Sequence, residues 1–205
     1  MTISLNNVGK RFNYDWIFRG VTHTFSEGQQ YAILGHNGSG KSTLLQVISG
    51  HLHHNEGKLV YTHDGAALEQ EYLFRHSAIA APYLELVEEF TLQEIFDFHQ
   101  TFKRFIPGFK PGQIMEAVGL EKAVNKQVRN FSSGMKQRAK LAPAIFSDVP
   151  LLLLDEPCTN LDAEGVALYQ RLIAEHAMQR TVIVSSNDPD EYNFCQQLLR
   201  ITDYK

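Results

Sequence analysis

A glycine-rich stretch, GHNGSGKST at 35–43, constrains the fold of this 205-residue chain more than any other part of the sequence. It follows the apolar segment YAIL and leads into the helical pattern STLLQVI, so it fits G-x-x-x-x-G-K-[ST] between a strand and a helix. Glycines let backbone N–H groups approach phosphate oxygens because no Cβ stands in the way, and a helix N-terminus attracts anions. The stretch therefore predicts a loop that binds the phosphates of a nucleoside triphosphate, formed by Gly35, His36, Asn37, Gly38, Ser39, Gly40, Lys41, Ser42 and Thr43.

Three side chains at the end of this loop have predicted roles of their own. Lys41 places a positive charge on the outer phosphates, and Ser42 offers a hydroxyl oxygen to Mg²⁺. Thr43 supports the phosphates from the next position of the helix. The alternative is a glycine-rich turn that only caps a helix, and the order of strand, loop, Lys-Ser and helix argues against it.

A second chemical signal is LLLLDEP at 151–157, where four apolar residues lead to Asp155 and Glu156. Open α/β sheets bind their ligands at the carboxyl ends of strands, which is where these two acids are expected. In P-loop enzymes the first acid completes the Mg²⁺ shell, commonly through water, and a following Glu polarises the attacking water. Asp155 is therefore predicted as a metal ligand and Glu156 as the group that activates water.

Short apolar segments alternate with helical patterns along the chain, which indicates an α/β fold with a mostly parallel sheet flanked by helices. The hydrophobic content of 43% is enough for one sizeable core. The predicted strands are 30–34, 58–61, 77–81, 151–155 and 181–186. We predict a single domain, residues 1–205, whose nucleotide-binding core comprises 1–85 and 132–205 and whose inserted helical subdomain comprises about 86–131.

The charge and the cysteines exclude several classes of protein. Lys and Arg number 19 against 23 Asp and Glu, without a basic block that would favour nucleic acid. No apolar run approaches the roughly 20 residues that span a bilayer, and the first residues lack an apolar signal core. Two cysteines, Cys158 and Cys195, are too few for a disulfide framework. We expect a reduced, cytoplasmic chain that binds no nucleic acid.

Four stretches together resemble one family. GHNGSGKST, FSSGMKQR at 131–138, LLLLDEPCTNLD at 151–162 and TVIVSSND at 181–188 stand in the order and approximate spacing of ATP-binding cassette (ABC) ATPases. The sequence most closely resembles the stand-alone ATPase subunits of ABC transporters, over essentially its whole length. The resemblance implies a P-loop NTPase core, an antiparallel N-terminal β part and an inserted helical subdomain. It also implies that the chain binds and hydrolyses ATP with Mg²⁺.

The resemblance assigns further residues by their position in the family's motifs. It implies that a signature motif binds the ATP of a partner copy and that a D-loop contacts the partner. It also implies that Phe12 stacks on adenine, with Tyr14, or core packing of Phe12, as alternatives. The signature residues are Ser132, Ser133, Gly134, Met135 and Lys136, and the D-loop residues are Asn160, Leu161 and Asp162.

The loop that enters the helical subdomain departs from the family's pattern. Family members usually carry Gln there, which touches Mg²⁺ and couples to the membrane partner. In this chain no Gln lies between Gln70 and Gln93. Pro82 or Tyr83 occupies the approximate position, and Glu85 is predicted as the nearest group that could approach the metal or its water.

A second departure is Asn187, which stands where the family usually has a His that contacts the γ-phosphate and holds the catalytic water. An amide donates hydrogen bonds but cannot become cationic, so some stabilisation of the developing phosphate charge is lost. We therefore predict slow hydrolysis, with Asn187 acting beside Lys41 and Glu156 as the third catalytic residue.

An aromatic, amphipathic helix is predicted near residues 88–102. Its apolar stripe favours core packing, and the alternative is that part of the stripe lines a groove for a cytoplasmic helix of a membrane subunit. The stripe consists of Phe90, Ile95, Phe96 and Phe102.

The predicted function is that of the ATP-binding and hydrolysing subunit that powers an ABC transporter by ATP-driven dimerisation. Its predicted partners are ATP, a second copy or a paralogous ATPase subunit, and a separate transmembrane permease that holds it at the inner face of the cell membrane. One alternative is a soluble ABC ATPase outside transport. Another is a weakly hydrolytic regulatory subunit, which Asn187 and the missing Gln favour and the retained Glu156 disfavours.

Overall fold

The computed structural model describes residues 1–205 and contains two β-sheets and six α-helices. The strands are β1 (Thr2–Phe12), β2 (Asp15–Phe25), β3 (Gln30–Leu34), β4 (Glu56–His63), β5 (Ala66–Leu68), β6 (Ser77–Ala80), β7 (Leu151–Asp155), β8 (Thr181–Ser185) and β9 (Gln197–Arg200). The α-helices are α1 (Lys41–Ile48), α2 (Leu92–Gln100), α3 (Pro111–Ala117), α4 (Ser133–Phe146), α5 (Ala163–His176) and α6 (Pro189–Tyr192). Short 3-10 helices span Gln70–Arg75, Glu121–Ala123, Val128–Asn130 and Ile201–Tyr204.

A five-stranded parallel sheet forms the centre of the molecule, in the order β6-β7-β8-β3-β9. The three inner strands are buried almost throughout, as their unbroken apolar sequences require. Four of the five predicted strands lie in this sheet, so the predicted α/β fold is confirmed. β9 was not predicted from the sequence because it is a mostly exposed edge strand with a short apolar run.

The remaining predicted strand, 58–61, lies in β4 and not in the parallel sheet. β4 belongs to an antiparallel sheet with the order β2-β1-β4-β5. The predicted strand at 58–61 is therefore confirmed, and it lies in the antiparallel N-terminal part that the family resemblance implies. Gly57 permits the close pairing of β4 with β1, since its φ is +85° and an added Cβ would lie 2.2 Å from the carbonyl oxygen of Asn7.

The two faces of the parallel sheet pack against different layers. On β7, Leu151 and Leu153 join a buried cluster that contains α1 and the antiparallel sheet. Leu152 and Leu154 point to the other face and join a cluster that contains α2, α3, α4 and α5. This alternation follows from the two-residue period of a strand, and it puts the glycine-rich loop and α4 in different layers.

Residues 86–131 contain α2, α3 and two of the 3-10 helices, and no strand beyond the isolated pairings of Thr91 with Gln127 and of Phe105 with Ser147. A capping box begins α2: Glu94 N–H donates to Thr91 Oγ1, and Thr91 N–H donates to the Glu94 carboxylate at 2.7 Å. The buried side of α2 packs in the same cluster as α4. The boundaries of a separate helical subdomain remain a prediction.

Phe102, just after α2, was predicted to pack in the core as part of the apolar stripe. It is 63% exposed, and this exposure corrects that prediction.

None of the helices is both long enough and apolar enough to cross a membrane. The longest, α4 and α5, have 14 residues each.

Candidate functional site

The glycine-rich loop connects the end of β3 to the start of α1, as predicted. Gly40 immediately precedes α1 with a φ of 102°, and an added Cβ would lie 2.6 Å from Cγ2 of Ile17. Gly38 has a φ of +77° and no atom within 4 Å of where a Cβ would be. Both positions therefore require glycine for backbone conformation, and the surface near Gly38 is open.

Lys41 lies on the inside of the loop and is only 4% exposed. Its Nζ donates hydrogen bonds to the carbonyl oxygens of Gly35 at 2.8 Å and His36 at 3.4 Å. The loop's own backbone thus holds the ammonium group beside the N-terminus of α1. Ser39, also in the loop, is fully buried, and its hydroxyl oxygen has no hydrogen-bond partner.

Asp155 ends β7 at the carboxyl edge of the parallel sheet, two strands away from the loop. It is 2% exposed, it pairs in register with Ser185 of β8, and its Oδ1 has no hydrogen-bond partner. Burial raises the pKa of the Asp155 carboxyl, while the hydroxyls of Ser185 and Ser42 beside it lower the pKa. A buried carboxylate oxygen without a partner, close to the hydroxyl of Ser42, is the hard oxygen donor set that Mg²⁺ prefers.

Glu156 follows with a left-handed backbone, with φ at +43°, and its N–H donates to the carbonyl oxygen of Ser185 at 2.9 Å. Such a conformation is uncommon for a residue other than glycine and is frequent at functional sites. Glu156 lines a cleft of about 320 Å³, which Asp155 does not line. The cleft is also lined by Asn37, Cys158, Asn187 and Glu191.

Asn187 and the glycine-rich loop meet in this cleft. The Nδ2 amide of Asn187 donates a hydrogen bond to Oδ1 of Asn37 at 3.1 Å. Three predicted site residues from distant parts of the sequence, Asn37, Glu156 and Asn187, therefore line one open cleft.

In the loop after β6, Tyr83 interacts with Asp155, whereas Glu85 interacts with Lys140. Partial burial and the negative charge of Asp155 raise the pKa of the Tyr83 phenol, and the Gln46 side chain lowers it. Glu85 lines two clefts that contain neither Tyr83 nor Asp155, and it interacts with the ammonium of Lys140. The prediction that Glu85 approaches the metal or its water stays a prediction, and the interaction with Asp155 makes Tyr83 a second candidate for the role of the missing Gln.

The predicted signature residues begin α4. Ser132 is the N-cap, and its Oγ accepts a hydrogen bond from Met135 N–H at 3.2 Å. The N–H groups of Ser133 and Gly134 donate to no group in the chain. Lys136 forms an ion pair with Glu88 at 2.5 Å. Two free N–H donors thus lie at an exposed helix N-terminus.

The D-loop lies against this end of α4. A Cβ added to Gly134 would be 3.3 Å from the carbonyl oxygen of Asn160, which itself has a φ of +65°. Asp162 is the N-cap of α5 and accepts from Gly165 N–H at 2.9 Å, while Leu161 packs at the edge of the core. The signature and the D-loop share a cleft of about 250 Å³ that contains none of the glycine-rich loop.

Gln137 is a residue of the FSSGMKQR stretch for which the sequence indicated no role. It is 4% exposed, and its Nε2 donates to the carbonyl oxygen of Pro157 at 2.6 Å. The bond joins α4 to the segment that follows Asp155 and Glu156. The sequence did contain a signal for this bond, because Gln137 is a polar residue on an otherwise apolar helical face. Buried polar groups need hydrogen-bond partners, so such a residue indicates a bond to another part of the chain.

Phe12 ends β1 and is 47% exposed, which excludes full burial in the core. The Nζ of Lys10 lies 4.9 Å from its ring centroid. Tyr14, in the turn that follows, is 91% exposed. Both aromatic rings are accessible for stacking, so Phe12 and Tyr14 both remain candidates for the adenine contact.

The strand, glycine-rich loop and helix, with a buried carboxylate at the same edge of a parallel sheet, define a nucleotide-binding protein of the P-loop class. Within that class, the sequence model described as "ABC transporter" matches residues 18–159. The chain belongs to this family of ABC transporter ATP-binding proteins.

Individual relatives agree with this assignment. An uncharacterized ABC transporter ATP-binding protein of Bacillus subtilis, YybJ, is 30% identical over 92% of this chain and 87% of its own length. The cytochrome c biogenesis ATP-binding export protein CcmA of Xylella fastidiosa is 33% identical over 73% of this chain and 66% of its own.

The fold also resembles solved structures. A Pyrococcus furiosus protein assigned as an ABC transporter ATP-binding protein has a TM-score of 0.81 at 18% identity, with complete coverage of both chains. A bacterial Atm1-family ABC exporter with ATP bound has the same TM-score, 0.81, at 20% identity, and covers 98% of this chain and 37% of its own. At these identities the likeness concerns the fold alone.

Proposed function

We propose that this chain is the ATP-hydrolysing subunit of an ABC transporter. The observation that carries the proposal is the cleft in which Glu156 and Asn187 lie beside the glycine-rich loop. A nucleotide whose phosphates rest on this loop presents its terminal phosphate toward the cleft, where a water molecule has access.

Hydrolysis requires a proton acceptor for that water. As water attacks the γ-phosphorus, its proton passes to the Glu156 carboxylate, and the bond from phosphorus to the bridging oxygen breaks so that ADP leaves with the bond's electrons. Lys41 exchanges the carbonyl oxygens of Gly35 and His36 for phosphate oxygens. Ser42 and Asp155 would hold Mg²⁺, which when bound neutralises phosphate charge.

The signature motif is proposed to act on the nucleotide of a second copy. The free N–H groups of Ser133 and Gly134 and the positive end of α4 suit an anion. They share no cleft with this chain's own glycine-rich loop. A two-fold arrangement would bring each signature onto the partner's ATP and the two D-loops together, with a paralogous subunit as the alternative to a second copy.

A membrane partner is proposed from two facts. CcmA and the Nod factor export ATP-binding protein I of Burkholderia lata, which is 28% identical over 98% of this chain, are named as ATP-binding proteins of export systems. This chain has no helix that could cross a membrane, so it would act at the cytoplasmic face on a separate permease.

Two measurements test the proposal. With Mg²⁺ and ATP, the chain should release phosphate at a steady rate. If ATP binds but is not hydrolysed, the result favours the alternative of a weakly hydrolytic regulatory subunit. The neutral side chain of Asn187 is the observation that supports that alternative. Co-purification from detergent-solubilised membranes should recover a polytopic membrane protein. Recovery of soluble partners alone would favour an ABC ATPase outside transport.

A further inference from the structure

Glu191 is a buried carboxylate that the proposed chemistry does not use. It lies on α6, which begins soon after Asn187, and it is only 4% exposed. Its Oε1 accepts a hydrogen bond from the backbone N–H of Cys158 at 2.6 Å. A buried carboxylate is costly unless it is hydrogen-bonded, and a bond from an N–H to a carboxylate is of the stronger, charge-assisted kind. Through this bond, α6 holds the segment that follows Glu156.

The Glu191 carboxylate joins the ends of two neighbouring strands, β7 and β8. Burial raises the pKa of the Glu191 carboxyl, the Ser186 hydroxyl and the Cys158 N–H lower it, and the charges of Asp188 and Glu156 raise it further. Glu191 and Glu156 also line the same cleft. The turn from β8 to α6 is closed by a bond of its own, since Asp188 N–H donates to Oγ of Ser186 at 2.9 Å. The carboxylate thus has partners from both strand ends.

The segment that Glu191 holds starts in an unfavourable conformation. Glu156 has a φ of +43°, and a residue other than glycine keeps such a backbone only where the surrounding structure imposes it. Two side chains bind the residues that follow. Gln137 of α4 donates to the carbonyl oxygen of Pro157 at 2.6 Å, and Glu191 of α6 accepts from Cys158 N–H. The turn that carries Glu156 is therefore fixed from two different helices.

We propose that Glu191 is a positioning residue for hydrolysis, because its bond to Cys158 N–H keeps the Glu156 carboxylate in place relative to Asn187. The inference rests on the proposed function, since it concerns the water that Glu156 is proposed to activate. A proton acceptor must lie within hydrogen-bond reach of that water, and a misplacement of about 1 Å can cost about 10²-fold in rate. The hydrogen bonds of Glu191 reach Cys158 and Tyr169 and not the glycine-rich loop, so ATP affinity should not depend on them.

Two substitutions of Glu191 in the full chain test the bond. Glu191→Gln keeps an oxygen that can accept from Cys158 N–H, whereas Glu191→Ala removes the acceptor. With Mg²⁺ and ATP, Glu191→Ala should lower kcat about 10- to 100-fold and change KM and equilibrium ATP affinity by less than about twofold. Glu191→Gln should keep kcat within about fivefold of the wild type. Equal losses of kcat in the two variants would overturn the inference.

Gln30→Ala is the matched control for a loss of stability without loss of position. Gln30 is also buried, and its Nε2 donates to the carbonyl oxygens of Gly28 at 3.0 Å and Met178 at 2.9 Å. It begins β3, at the end of the strand opposite to the glycine-rich loop. Gln30→Ala and Glu191→Ala should both lower the urea midpoint, but Gln30→Ala should keep kcat within about twofold. A kcat lowered equally in both variants would mean that only stability is affected, and the inference would be wrong.

A double variant tests whether Glu191 acts through Glu156. Once the Glu156 carboxylate is gone, its position no longer matters, so the effects of the two substitutions should not add. Adding Glu191→Ala to Glu156→Gln should change the residual single-turnover rate by less than about twofold. A further loss of about tenfold or more would assign Glu191 a role independent of Glu156 and contradict the inference.

The wild-type chain separates this inference from the proposed function. If the wild type hydrolyses ATP and Glu191→Ala does so equally well, only the inference fails. If the wild type binds ATP and releases no phosphate, the proposed function fails, and the inference fails with it.

Discussion

The side-chain amide of Asn187 donates a hydrogen bond to Oδ1 of Asn37 across 3.1 Å, and this bond joins the end of β8 to the glycine-rich loop. The two residues are 150 positions apart in the sequence. Because both groups are neutral amides, the contact survives any physiological change of pH. It also directs Nδ2 of Asn187 toward the loop that is proposed to hold the phosphates.

We expect Asn187→His to raise the hydrolysis rate, or at least not to lower it. An imidazole can carry a positive charge near its ordinary pKa of about 6.5 and so stabilise charge on the γ-phosphate better than an amide. Steady-state phosphate release between pH 6 and 8 measures the effect. Loss of most activity would show that the site depends on the Asn amide and its bond to Asn37.

Lys41→Ala and Glu156→Gln should have different phenotypes. Removal of the Lys41 charge should cost about 2–5 kcal/mol of ATP-binding free energy. Glu156→Gln should keep binding and lower turnover by about 10²–10⁴-fold, because only the proton acceptor is lost. Equilibrium nucleotide binding and phosphate release on both variants decide the matter. A Glu156→Gln protein that turns over normally would remove Glu156 from the catalytic role.

Gln137→Ala should destabilise the fold, since it leaves the buried carbonyl of Pro157 without its donor. The expected loss is about 1–3 kcal/mol in the free energy of unfolding, measured by urea denaturation. Gln170→Ala is the matched control, because Gln170 makes the same type of bond, to Asp190 O at 2.9 Å, at an exposed position. Its loss should stay within about 0.5 kcal/mol. If both variants lose the same free energy of unfolding, the buried bond of Gln137 stabilises the fold no more than an exposed bond does, and the prediction is wrong.

Burial lowers the pKa of the His99 imidazole to about 4, which predicts an acid-sensitive contribution to stability. The unfolded chain binds the imidazole proton near 6.5 and the folded chain only near 4, so stability falls as the pH drops through this window. Between pH 7 and pH 4, the free energy of unfolding should therefore fall by about 2–3 kcal/mol less in His99→Gln than in the wild type. Urea midpoints at several pH values measure it, with the exposed His53→Gln as control. Parallel pH curves for wild type and His99→Gln would contradict the prediction.

Mixed dimers test whether the signature acts on the partner's nucleotide. In a Glu156→Gln background, one chain carries Lys41→Ala and the other Ser133→Arg. If the signature acts in trans, both changes fall in one site and the other site is intact, so about one trapped ATP per dimer should remain. If the signature acts in cis, Lys41→Ala inactivates the site of one chain and Ser133→Arg inactivates the site of the other. No trapped ATP would then be found.

The sequence predicted the parts of the site that depend on local order. The loop at 35–43 was predicted because a strand, a glycine-rich turn and a helix follow one another in the sequence. The acids at the end of β7 were predicted from the apolar run that precedes them, and Asn187 was predicted from its position in a family motif. The sequence could not indicate the bond between Asn187 and Asn37, or the choice of Tyr83 over Glu85 beside Asp155. Those depend on how distant loops are oriented. It also could not assign 58–61 to one of the two sheets, because a short apolar run has the same appearance in either kind of sheet.

The alternation along β7 also has an evolutionary meaning. Leu152 and Leu153 are neighbours in the chain, yet they pack in different clusters, one with α2 and α4 and the other with α1. A substitution in the α2–α4 layer is therefore compensated by its own neighbours, without repacking of the layer that supports the glycine-rich loop. Selection for a new surface on the α2–α4 layer can thus proceed while the packing of α1 beneath the glycine-rich loop stays unchanged.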